Sequence, residues 1–258
     1  LLTNVAIAKK RVALVIGNSQ YGIELGNLNS PVNDANDISK KLRDFGFQVT
    51  TLKNATQREM DDAISLFGQK LTENRSIGLF YFAGHGVQIG GENYLIPVGS
   101  GITSEADIKY KAVNLGQILN QMEQANNGLN LVILDASRNN SVIRSLRSAG
   151  RGLARVNAPS GSLLLYATKP GQIAPDSVGR NGIFTEQLLQ SMNDNLKVED
   201  IFKSVAINVS KKTNKKQEPW MEGVLYGNFY FNPSINVDTP RQNSIINKSA
   251  EDSFIESM

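Results

Sequence analysis

The segment Ile77–Ala83 (IGLFYFA) is almost wholly apolar and β-prone, and it constrains the fold more than any other stretch of the chain. A strand that is apolar on both faces must be covered on both, as in a parallel sheet with helices packed above and below. Three other short runs read the same way: Arg11–Asn18 (RVALVIGN), Leu129–Leu134 (LNLVIL) and Leu163–Thr168 (LLLYAT). Gln48–Leu52 is a further short strand. Helical periodicity lies between them. Asn33–Phe45 places Ala35, Ile38 and Leu42 on one face and stops at Gly46. Thr56–Leu71 aligns Met60, Ala63, Ile64, Phe67 and Leu71. Helices are also expected over Val113–Gln124, Phe184–Met192 and Val198–Val209. Val87–Val98, with Gly90-Gly91 in its middle, reads as a hairpin. Ser141–Ser160, rich in Arg, Gly and Ser, reads as a long loop. The alternating segment Leu225–Phe231 reads as a last strand. Strands alternating with helices predict an α/β fold with a mostly parallel sheet.

Composition narrows the function. The 258 residues include no cysteine and one histidine, which excludes disulfides, thiolate metal sites and multi-histidine zinc sites. The formal charge of +3 is too mild to imply nucleic acid. The basic run Lys211, Lys212, Lys215 and Lys216 suits a solvated helix end. No apolar run approaches the ~20 residues needed to span a membrane. The first ten residues lack a signal pattern, so a cytoplasmic location is expected, or a periplasmic or secreted one had a signal been removed. No G-x-G-x-x-G or Walker pattern follows the first strand, which argues against a nucleotide-binding domain.

In parallel α/β sheets, ligand sites lie at the carboxyl ends of the strands. Two such ends carry reactive side chains: His85, between Gly84 and Gly86, and Ser137, in Asp135-Ala136-Ser137-Arg138. His85 stands 52 positions before Ser137. A caspase-type histidine precedes its nucleophile by roughly 50 residues. The glycines flanking His85 would let the backbone approach a ligand closely, and the Gly86 amide suits an oxyanion donor.

With these pieces in hand, the chain resembles the caspase-like peptidases called metacaspases and orthocaspases, the bacterial ones in particular. The matching segments are RVALVIGN at 11–18, Asn33-Asp34-Ala35, YFAGHG at 81–86, YLIP at 94–97, LDASRNN at 134–140, RGLA at 151–154, LLLYAT at 163–168 and GRNGIFTEQLL at 179–189. The resemblance implies a three-layer fold with a six-stranded, mostly parallel sheet flanked by helices. It implies a lead at 1–10, a peptidase domain at 11–232 and a linker or following module at 233–258. Within the domain it implies a large segment at 11–137, a linker loop at 138–160 and a small segment at 161–232.

The resemblance further implies a cysteine-type endopeptidase cutting protein or peptide substrates after Arg or Lys, with Asp34 and Asp135 in the pocket for that side chain. The linker loop is often self-cleaved in such enzymes, and Arg144, Arg147, Arg151 and Arg155 are the candidates here. The departure from the pattern is Ser137, where the family has its cysteine. A hydroxyl is far less acidic than a thiol, and a serine needs a base oriented by a third group, which is not evident in this sequence. Three readings follow: a Cys-to-Ser change in an active peptidase, favoured because His85, Asp34, Asp135 and the Arg-rich loop are all retained; a natural pseudopeptidase that binds peptides or regulates a partner; or a natural serine peptidase. No cofactor is implied. Calcium activates some relatives, and Glu105 and Asp107 lie in an expected loop, but no metal ligand set can be assigned from them.

Overall fold

The computed structural model describes residues 9–74, 76–136, 149–150, 152–174 and 179–232. Ser137, Arg144, Arg147 and Arg151 lie outside the described residues, as do the lead up to residue 8 and the segment 233–258.

The central sheet is built from β1 (Arg11–Gly17), β2 (Phe47–Lys53), β3 (Ile77–Gly84), β7 (Asn130–Ala136), β9 (Ser162–Tyr166) and β10 (Trp220–Gly223). Its order is β10-β9-β7-β3-β1-β2. All neighbours are parallel except β10, which runs antiparallel to β9. The expected six-stranded, mostly parallel sheet is therefore present. Every residue of β1, β3, β7 and β9 is buried, which is why these runs show no polar face.

Helices α2 (Pro31–Asp44), α6 (Ile183–Ser191) and α7 (Val198–Lys212) cover one face. Ile38, Leu42, Phe184, Leu188 and Val205 pack there on Leu79, Tyr81 and Ile133. Helices α3 (Gln57–Asn74) and α5 (Leu115–Ala125) cover the other, where Met60, Phe67 and Ile118 meet Leu14, Phe80 and Leu134. Alternate residues of one strand thus feed opposite core layers. Removing any of these large side chains would cost about 2–5 kcal/mol. A second, four-stranded sheet of order β6-β5-β4-β8 sits at one end. It consists of β4 (Gly86–Ile89), β5 (Glu92–Leu95), β6 (Val113–Asn114) and β8 (Ala149–Gly150). Helix α1 (Gly22–Leu25) and helix α4 (Glu105–Lys111) complete the order among the described residues.

Some expectations need correction. Helix α2 starts earlier than Asn33, at Pro31, whose fixed φ suits the first helical position. Val113-Asn114 pair with Tyr94 and Leu95 as a short strand, so α5 begins only at Leu115. Glu105 and Asp107 are in the first turn of α4, not in a loop. Ser104 and Asp107 form a capping box, and Lys111 binds the Asp107 carboxylate at 2.7 Å. Those bonds hold the Asp107 carboxyl well below its usual range. The 141–160 loop is not uniformly irregular, because Ala149-Gly150 pair with β4.

The last strand is Trp220–Gly223 rather than Leu225–Phe231. Burial alternates there only at the end: Phe229 and Phe231 are inside with Tyr230 half-buried between them, whereas Tyr226, Gly227 and Asn228 are all exposed after the buried Leu225. What is missing is a ladder. The carbonyls of Tyr230 and Phe231 bind the Arg11 guanidinium instead, at 3.1 and 2.5 Å. A period of two reports side-chain burial, and a strand also needs a neighbouring backbone.

Candidate active site

Strands β3 and β7 are adjacent and parallel, with Gly84 opposite Ala136. His85 follows Gly84 directly, and position 137 follows Ala136. His85 and Ala136, the residue before position 137, therefore stand at the same carboxyl edge of neighbouring strands, where parallel sheets place their ligands.

His85 is 2% exposed. Its Nε2 lies 3.0 Å from the carbonyl oxygen of Gly26. A carbonyl only accepts, so in the neutral ring Nε2 carries the hydrogen and Nδ1 is the basic nitrogen. Gly26 is thus the orienting group that the sequence did not reveal, since a main-chain carbonyl leaves no trace in residue type. The backbone of His85 is held as well. Its N–H donates to the Tyr21 hydroxyl at 2.9 Å, and its carbonyl accepts from Ile96 N–H at 3.0 Å.

The two glycines beside His85 have a structural reason different from the expected approach of a ligand. A Cβ on Gly84 would stand 2.4 Å from the Tyr21 hydroxyl, and one on Gly86 would stand 3.0 Å from Leu153 and 3.1 Å from Ala136. Gly86 pairs with Leu95. Since Ile96 N–H bonds His85, the alternation of an antiparallel ladder turns the Gly86 N–H away from β5.

Asp34 and Asp135 come from α2 and β7, and both are buried. A side chain on Gly17 would strike the Pro31 carbonyl at 2.2 Å, so this glycine lets the start of α2 settle on the end of β1. Asp34 Oδ1 accepts the Gly182 N–H at 2.9 Å. Its Oδ2 is buried with no hydrogen-bond partner of normal geometry among the described residues. Burial, and next the charge of Asp135, push the Asp34 carboxyl up to about 7; the Gly182 amide and the nearby Asn181 and Ser30 side chains pull it partly back. Asp135 accepts from the Thr185 hydroxyl at 2.8 Å, and that hydroxyl is 2.6 Å from the Tyr81 hydroxyl. Because Thr185 donates to Asp135, Tyr81 is the donor to Thr185. Two carboxylates far apart in sequence therefore share one dry region, close enough for the charge of one to act on the other.

The segment before α6 is strapped to α2. Arg180 makes two bonds to Asp37, at 2.9 and 2.8 Å, and Asn181 adds a third at 3.0 Å. Asn33 binds the Arg180 carbonyl. These residues fall in the matched GRNGIFTEQLL piece, but residue type alone did not tell which of them would reach Asp34. Of the arginines considered for self-cleavage, Arg155 is the one described. It pairs with Glu222 of β10 at 2.7 Å. Its neighbour Ala154 is clamped through both backbone groups by the Asn93 side chain, at 2.6 and 2.8 Å. Among the described residues no group of three or more acidic or histidine side chains could hold a metal ion, and no helix is long and apolar enough to cross a membrane.

Comparisons with known proteins speak to the family and the fold. The chain is 29% identical over 215 residues to the human "Mucosa-associated lymphoid tissue lymphoma translocation protein 1", covering 81% of this chain and 25% of that protein. The mouse homolog matches at the same identity, with 24% of its length covered. The chain thus spans about a quarter of the length of the curated relatives it matches. Caspase-1 from Spodoptera frugiperda superposes with a TM-score of 0.64 at 16% identity, over 87% of this chain and 90% of that one. The Drosophila initiator caspase Dronc gives 0.62 at 16% identity, over 86% and 83%. At that identity the two structures speak for the fold alone. The "Peptidase_C14: Caspase domain" profile, however, matches residues 10–230, nearly the whole described chain, and the protein belongs to the caspase domain family.

Proposed function

We propose that this chain is the peptidase domain of a cysteine-type endopeptidase that accepts Arg or Lys at the cut site, with serine standing at the nucleophile position. The observation that carries this reading is the buried Asp34 and Asp135 pair beside Gly84 and Ala136, the strand ends that precede His85 and position 137 in the chain. A guanidinium or ammonium placed there would relieve the repulsion between two dry carboxylates, and Asp34 Oδ2 is the acceptor left for it.

With cysteine at 137, the sulfur attacks the substrate carbonyl carbon while its proton passes to His85 Nδ1. The Gly86 amide receives the oxyanion, and the imidazolium gives its proton to the leaving amine as the C–N bond breaks. Water then opens the acyl-enzyme by the reverse proton transfers. A serine at 137 has the same oriented imidazole but a far less acidic hydroxyl, so turnover should be very slow. The segment 138–160 offers Arg144, Arg147 and Arg151 for self-cleavage, whereas the clamps on Ala154 and Arg155 disfavour a cut there.

The test is Ser137→Cys assayed with arginyl, lysyl and aspartyl reporters, in calcium and in chelator. Turnover of the arginyl reporter but not the aspartyl one supports the reading, and no turnover in either condition sinks it. A second reading, a peptide-binding pseudopeptidase, is favoured by the complete absence of cysteine. It requires that an arginyl peptide bind without being cut even when cysteine stands at 137.

A further inference from the structure

We propose that Tyr21 is the positioning residue of His85, holding the imidazole so that Nε2 stays on the Gly26 carbonyl and Nδ1 is left to exchange protons with the reacting group. The last clause rests on the peptidase reading, and the positioning itself does not.

The argument starts from the backbone. Beyond Gly84, His85 leaves β3 and runs alongside Ile96. In an ordinary antiparallel pair, His85 N–H would donate to the Ile96 carbonyl, just as Ile96 N–H donates to His85. Here the Tyr21 hydroxyl is inserted between those two atoms. It accepts from His85 N–H at 2.9 Å and donates to the Ile96 carbonyl at 3.2 Å. The insertion carries the phenol ring up to the imidazole, with centroids 4.4 Å apart and planes tilted by 54°. Gly84 makes room for this, because any side chain there would fall within 2.4 Å of the hydroxyl.

Tyr21 and Gly26 belong to one closed piece of chain. Gly26 N–H bonds the Gly22 carbonyl, and Leu28 N–H and Tyr21 N–H both bond the Ser19 carbonyl. Asn54 fixes Ser19 and Gln20 from outside, and Asn27 accepts from Gly22 N–H. The ring that sets the imidazole plane and the carbonyl that sets its tautomer are therefore delivered together. Tyr21 is 8% exposed and buries its hydroxyl on two main-chain groups of the hairpin, so its ring has little freedom to turn.

The chain has a single histidine, so its ring nitrogens can be read without ambiguity by two-bond proton–nitrogen NMR. The unmodified protein should show the neutral Nε2–H tautomer. Tyr21→Phe keeps the ring and removes the bridge, and Tyr21→Leu removes both. The ratio of Nε2–H to Nδ1–H should fall roughly ten-fold in Tyr21→Phe, about what one hydrogen bond contributes, and further in Tyr21→Leu. The titration midpoint should move with it. Tyr226→Phe, at an exposed tyrosine, should change neither.

An Nδ1–H tautomer in the unmodified protein, or an unchanged ratio and midpoint in the folded variants, overturns the proposal. If the variants fold poorly, replacement of all tyrosines by 3-fluorotyrosine keeps the shape and makes the phenol a poorer acceptor. The His85 amide proton must then shift, and an unmoved signal overturns the proposal. In a Ser137→Cys background, Tyr21→Phe should lower kcat about ten- to a hundred-fold with KM unchanged. A Ser137→Cys protein without activity sinks the peptidase reading and leaves the NMR result to decide on Tyr21. An active one whose tautomer ignores Tyr21 sinks the positioning role alone.

Discussion

Arg180 grips Asp37 through two parallel bonds, at 2.9 and 2.8 Å, and that grip sets the chain just before Gly182, whose N–H meets the buried Asp34. The pair itself is exposed, so its worth to global stability is small. Its effect is on position. Arg180→Ala and Asp37→Ala should each raise KM for an arginyl substrate several-fold in a Ser137→Cys background while leaving kcat within about two-fold, the pattern of lost ground-state binding. A fall in kcat as large as the rise in KM, or no change in either, would count against a strap that serves the binding pocket.

Asp34 makes stability depend on pH in an unusual direction. Its carboxyl sits at about 7 in the folded chain against an ordinary 3.8, so between those values the folded state holds a proton that the unfolded state lacks. Stability is then fully present below about 4 and is lost as pH rises through about 7. A shift of this size corresponds to a few kcal/mol at most. Asp34→Asn should raise Tm at pH 8.5 and change it little at pH 4. Equal Tm changes at both pH values would show that burial of the Asp34 charge is not the cause.

Thr185→Val should destabilise the chain by about 1–3 kcal/mol, because the buried Asp135 loses its hydroxyl donor and Tyr81 loses its acceptor. Denaturant midpoints at constant slope measure this. A double variant, Thr185→Val with Asp135→Asn, should recover part of the loss if the cost comes from the carboxylate left without its donor.

Gly17→Ala should cost about 1–3 kcal/mol despite adding one methyl group, because the new carbon would strike the Pro31 carbonyl at 2.2 Å and push α2 off β1. Since α2 carries Asp34, affinity for a basic peptide should drop as well. A Gly17→Ala variant of unchanged Tm would show that the helix can shift at no cost.

In a self-cutting Ser137→Cys protein, mass analysis should find ends after Arg144, Arg147 or Arg151 and not after Arg155. Releasing the clamp with Asn93→Ala should open the Arg155 position to cutting. Cleavage after Arg155 in the parent would show that the clamp does not protect that bond.

The sequence by itself determined the four inner strands of the central sheet, β1, β3, β7 and β9, because each must be apolar on both faces and such runs have few other uses. It pointed to His85 and position 137 together, since both follow such strands in the chain. It also brought Asp34 and Asp135 forward, through the resemblance rather than through any local pattern. Tertiary structure alone decided the rest. The group that orients His85 is a carbonyl of Gly26, and every residue owns a carbonyl, so no letter marks it. Tyr21 could be placed against the imidazole only once the loop of Ser19–Leu28 was closed. The segment Leu225–Phe231 shows the converse: its alternation was legible, but whether it forms a ladder depended on Arg11, some 220 positions away, taking up its carbonyls. Periodicity records which side chains are buried, whereas backbone pairing and carbonyl contacts depend on which distant segments fold alongside.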